Sequence, residues 1–65
     1  MEYTREELLE AKRQIDSTLH KLRETVKTLE GKEQPDRYKS QITLAKRRIA
    51  AFELATGLIE KELEQ

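Results

Sequence analysis

Apolar residues recur at alternating intervals of three and four residues along most of this sequence, with one short interruption. A mean spacing of about 3.5 residues is the period at which one helix packs along another in coiled coils. The pattern therefore predicts two long helices, each with a seam, meaning the line of residues that packs against the other helix. The first predicted seam consists of Leu8, Ala11, Ile15, Leu19, Leu22, Val26 and Leu29, and the second, which includes one threonine, of Tyr38, Ile42, Ala45, Ile49, Phe52, Thr56, Ile59 and Leu63.

Signals for helix ends agree with this division. Thr4 and Glu7 match the capping-box pattern that begins a helix. Gly31 follows the first seam and predicts a helix end in the left-handed conformation. Pro35 suits the first turn of a new helix, where its missing N–H costs no hydrogen bond. We predict one domain over 1–65, with a helix at about 4–30, a turn at about 31–34 and a helix at about 35–63.

The short turn predicts an all-α fold in which the two helices form an antiparallel hairpin. Equal distances from the turn would place Leu29 opposite Tyr38, and the same rule sets the pairs farther along the hairpin. The predicted pairs include Leu19 with Ile49, Leu8 with Ile59, and Lys12, a polar residue at a seam position, with Thr56.

The second helix carries more apolar residues than one neighbouring helix can cover. At 100° per residue, a second set clusters roughly 130° from its seam, whereas the first helix has no equivalent set. The excess predicts self-association, with two hairpins forming a homodimeric four-helix bundle, or an adaptor that binds a different protein through the same residues. The predicted interface comprises Leu44, Ala51, Leu54, Ala55 and Leu58.

Charge is divided along the predicted hairpin although the chain has no net charge. The turn end, residues 20–48, has nine basic and four acidic residues, a net charge of +5. The open end, residues 1–19 and 49–65, has four basic and nine acidic residues, a net charge of −5. Antiparallel hairpins would bring opposite charges together, so the layout favours an antiparallel homodimer.

The hairpin layout, with the segment EQPD at residues 33–36, resembles the Rop family of plasmid copy-number regulators. The resemblance implies an antiparallel dimer and, as an alternative function, RNA binding; it assigns no binding residues. Independently, the basic turn end offers candidate phosphate contacts at Lys39, Lys46, Arg47 and Arg48.

Other classes of function have little support in the sequence. The sequence lacks cysteine, a glycine-rich phosphate loop and a nucleophile–base pattern, so we expect no enzymatic activity, metal or cofactor. It has no apolar run of the roughly 18 residues that a membrane span needs and no leader pattern at Met1. We therefore expect a cytoplasmic protein with no membrane partner.

Overall fold

Two long helices make up most of the computed structural model, which describes residues 2–33 and 35–65. Helix α1 spans Arg5–Glu30, a 3-10 helix spans Pro35–Tyr38, and helix α2 spans Lys39–Leu63. They form a rod of 47 × 15 × 15 Å, and the described residues contain no strand. The predicted all-α fold, with two helices packed against each other, is confirmed. Met1 and Gln34, the last residue of the predicted turn, lie outside the described residues.

The predicted capping box at the start of α1 is present. The Glu7 backbone N–H donates to Thr4 Oγ1 at 3.1 Å, and the Thr4 N–H donates to Glu7 Oε1 at 3.0 Å. These bonds satisfy two backbone donors that the first turn of a helix cannot pair internally. The Thr4 hydrogen bonds also lower the pKa of the Glu7 carboxyl, because they favour its ionised form.

Two details of the connection correct the sequence prediction. Gly31 has φ −83° and ψ −2°, so it is right-handed, and the prediction of a left-handed glycine is wrong. Instead, the Gly31 N–H donates to the Lys27 carbonyl and the Lys32 N–H to the Leu29 carbonyl, which tightens the last turn. Pro35 begins the 3-10 helix, and α2 itself begins only at Lys39.

Burial confirms both predicted seams. Among the described residues, the buried ones are Leu19, Val26 and Ala45, which all belong to the seams. Every other predicted seam residue is partly buried. The seams therefore face each other, as coiled-coil spacing requires.

At two places along the hairpin, the residues of α2 that lie near α1 are about one helical turn beyond the predicted partners. Leu19 shares a surface depression with Glu53 and Thr56, although Ile49 was its predicted neighbour. At the open end, Leu8 lies beside Leu63, and the Arg5 guanidinium donates to the Leu63 carbonyl at 3.3 Å. The reversal uses more residues than the predicted turn because the chain passes through a 3-10 helix before α2 begins.

Candidate interaction face

The second apolar set of α2 forms a candidate interaction face on the surface of the hairpin. We call it the α2 outer face and define it as Leu44, Ala51, Leu54, Ala55 and Leu58. At 100° per residue its members fall within about 100° of one another, so one side of the helix carries all of them. The seam of α2 is turned towards α1, which leaves this second side without a neighbouring helix.

Exposure distinguishes this face from the rest of the hairpin. Leu54 and Leu58 are 68% and 61% exposed, and Leu44 is 46% exposed. Ala51 is exposed as well, whereas Ala55, at the border with the seam, is partly buried. In α1, Leu9 is the one exposed large aliphatic side chain among the described residues. Apolar exposure is therefore concentrated on one side of α2, as the sequence predicted.

Ion pairs between the helices lie on one flank of the hairpin, which we call the ion-pair flank. Arg23 contacts Glu53 at 2.9 Å, Lys46 contacts Glu30 at 3.2 Å, and Lys12 contacts Glu60 at 3.7 Å. The helical positions of Lys46, Glu53 and Glu60 fall on the side of the α2 seam that is away from the α2 outer face. The ion pairs therefore leave the apolar face uncovered.

On the side of the hairpin opposite the ion-pair flank, α1 has small side chains next to the α2 outer face. Ala11, Thr18 and Thr25 recur there every seven residues. The Thr18 hydroxyl donates to the Gln14 carbonyl at 3.1 Å, and the Thr25 hydroxyl donates to the Lys21 carbonyl at 2.9 Å. These hydroxyls are satisfied within their own helix, and no ion pair between the helices forms on this flank in the described part of the chain.

Lys12, which occupies a seam position, pairs with carboxylates at the edge of the seam. Its ammonium group donates to Asp16 Oδ2 at 3.2 Å and lies near Glu60, so the long side chain reaches the edge of the seam. The hydrogen bond with Asp16 raises the pKa of Lys12 above its usual value. The Thr56 hydroxyl remains buried and has no hydrogen-bond partner.

The four candidate phosphate contacts do not converge on one site. Lys39 and Arg47 border the same surface depression, beside Ser40 and Thr43. Lys46 is turned towards Glu30 on the ion-pair flank, so a phosphate would have to compete with that carboxylate. Arg48 lies on the other side of α2, next to the seam.

Compared with known proteins, the sequence matches no family model, and no curated protein or solved structure is significantly similar to it. Neither helix has a stretch of sufficient length and hydrophobicity to span a bilayer, within the residues described. In residues 2–33 and 35–65, no three His, Cys, Asp or Glu side chains are grouped so that they could hold a metal ion.

Proposed function

We propose that this protein is a self-associating helical-hairpin module in which the α2 outer face packs against the same face of a second, antiparallel copy. The observation that carries the proposal is the exposure of Leu44, Leu54 and Leu58 on one side of one helix. Burying a leucine side chain contributes about 1.5–3 kcal/mol. A second copy would therefore gain free energy from these residues that the single hairpin cannot.

The small core of the hairpin supports the same conclusion. Only Leu19, Val26 and Ala45 are buried among the described residues. A chain of 65 residues without cysteine cannot use a disulfide to compensate for a small core. Oligomerisation is a common alternative, since it adds buried apolar area without lengthening the chain.

The charge layout favours a second copy as the occupant of the face. The turn end carries a net charge of +5 and the open end −5, on a rod that is 47 Å long. An antiparallel copy places each basic end beside an acidic one, whereas a parallel copy opposes like charges. The same molecule therefore offers both the apolar area and the complementary charge that this surface requires.

Sedimentation equilibrium of the wild type and Leu54→Gln tests the proposal. We expect the wild type to have about twice its chain mass of 7.7 kDa. Because a symmetric dimer contains each substitution twice, we expect Leu54→Gln to raise the dissociation constant by about 100-fold. The substitution leaves the net charge unchanged, so this effect would report the loss of apolar contact.

Leu9→Gln is the matched control, because Leu9 is also an exposed leucine but lies on α1. We expect its dissociation constant to equal that of the wild type. A wild type that remains at 7.7 kDa at every concentration contradicts self-association and favours an adaptor that binds a different protein. Equal weakening by both substitutions would contradict the placement of the interface on α2.

A further inference from the structure

We infer that the two α2 helices of the dimer pack in a single register, with the twofold axis passing between Leu54 and Ala55. This inference rests on the proposed self-association and specifies its geometry. In a symmetric antiparallel pair, the axis position determines which residues face each other. An axis between residues 54 and 55 places Leu58 opposite Ala51 of the second copy, and it places Leu54 and Ala55 beside the axis, where each lies next to its own counterpart.

This register matches a large side chain with a small one on both sides of the axis. Leu58, one of the two most exposed leucines, meets Ala51 of the second copy, and Leu54 meets its own counterpart beside the axis. Alanine allows two helices to approach closely, and the facing leucine then fills the space beside it. Leu44, the least exposed of the three leucines, falls at the edge of the contact, where it loses least by remaining partly in solvent.

The same register also pairs opposite charges. Arg47 and Glu62 lie at the two ends of the outer side of α2, and the axis position brings Arg47 opposite Glu62 of the second copy. Both residues are exposed, and neither side chain forms an ion pair in the part of the chain that the structure describes. Dimerisation would therefore provide each with a partner without breaking an existing ion pair.

A register with the twofold axis at Ala51 is less favourable, although the two α2 helices would then overlap over a greater length. It would place Leu44 opposite Leu58, and Arg47 beside Leu54 of the second copy. The Arg47 guanidinium would then lose water against an apolar side chain and gain no carboxylate in return. The charges therefore favour the axis between Leu54 and Ala55.

Disulfide trapping tests this register directly, because the wild-type chain contains no cysteine. The single variants are Ala51→Cys, Ala55→Cys and Leu58→Cys. We expect oxidation to crosslink Ala55→Cys to itself, because the two copies of position 55 lie near the axis. Two copies of position 51 or 58 would be displaced by about 10 Å along the helices, which exceeds the reach of a disulfide. A mixture of Ala51→Cys and Leu58→Cys should instead crosslink between the two variants.

Two other patterns would overturn the register while leaving self-association intact. Self-crosslinking of Ala51→Cys in place of Ala55→Cys would move the axis to Ala51. Equal self-crosslinking at all three positions would indicate parallel helices, because each residue would then face its own copy. Leu9→Cys controls for random collision and should not crosslink. Sedimentation of the reduced variants and the wild type shows separately whether a dimer forms, and a monomeric wild type would overturn both proposals.

Discussion

At the scale of single residues, Thr56 is the clearest mismatch between a side chain and its surroundings. Its Oγ1 atom is buried without a hydrogen-bond partner, and an unsatisfied buried hydroxyl costs about 1–3 kcal/mol. We expect Thr56→Val, which keeps the shape and removes the hydroxyl, to raise the free energy of unfolding by about 1 kcal/mol. The melting temperature should rise by about 5 °C when both proteins are measured at one concentration.

Thr25→Val is the control for this prediction, because the Thr25 hydroxyl is exposed and already donates to the Lys21 carbonyl. We expect it to change the free energy of unfolding by less than about 0.5 kcal/mol. Destabilisation by Thr56→Val would mean that the native hydroxyl has a partner after all, such as a bound water molecule.

The two glycines show why residue identity alone does not determine local conformation. Gly31 is permitted the left-handed region but remains right-handed, because the N–H groups of Gly31 and Lys32 both find carbonyl acceptors in the preceding turn. Gly57 lies inside α2, and a Cβ atom added there would contact nothing within 4 Å. It therefore does not mark a close approach between the two helices of the hairpin. Glycine makes these geometries available, and neighbouring hydrogen bonds and packing decide between them.

At the scale of the elements, the start of α1 should depend on pH through Glu7. Its pKa is lowered in the folded protein, so its contribution to stability is present above the unfolded pKa of about 4.3. That contribution is lost as the pH falls through the folded pKa. We expect the wild type to be more stable than Glu7→Gln at neutral pH, and the difference to disappear in acid. Thermal melts of both proteins between about pH 7 and pH 2 measure this difference in stability.

Glu24→Gln is a suitable control for Glu7→Gln, because Glu24 lies in the middle of α1 and is exposed. Glu24 takes no part in the capping box, so the stability of the Glu24→Gln variant should follow that of the wild type at every pH. If Glu7→Gln also follows the wild type throughout, the capping box contributes no stability that depends on the Glu7 charge.

The helices and their seams could be predicted because both depend on local spacing. Every seam residue predicted from the intervals of three and four is at least partly buried. The alignment of one seam with the other could not be predicted, since it depends on how many residues the reversal uses. The 3-10 helix at Pro35–Tyr38 lengthens the reversal, and Leu8 borders the same surface depression as Leu63. Sequence spacing does not distinguish that turn from the first turn of an α-helix.

At the scale of the whole molecule, the α2 outer face could be predicted from excess apolar residues, but its surroundings could not. The sequence contains 13 acidic residues, and spacing alone does not show which of them pair with Arg23, Lys46 and Lys12. Only the packed hairpin places their partners Glu53, Glu30 and Glu60 together on one flank. The apolar face and the ion pairs thereby lie on different sides of α2, so a second copy could bind without displacing the contacts that join the helices.

The charge polarity of the whole rod makes the response of the dimer to salt a test of its orientation. Antiparallel copies bring the +5 turn end beside the −5 open end, so the attraction weakens as salt screens it. We expect the dissociation constant from sedimentation equilibrium to rise between about 0.02 M and 0.5 M NaCl, where the Debye length falls from roughly 20 Å to 4 Å. The double variant Arg47→Glu with Arg48→Glu leaves seven basic and six acidic residues at the turn end, so its salt response should be much smaller. A dimer that tightens with salt would instead indicate that like charges meet, as they would in a parallel arrangement.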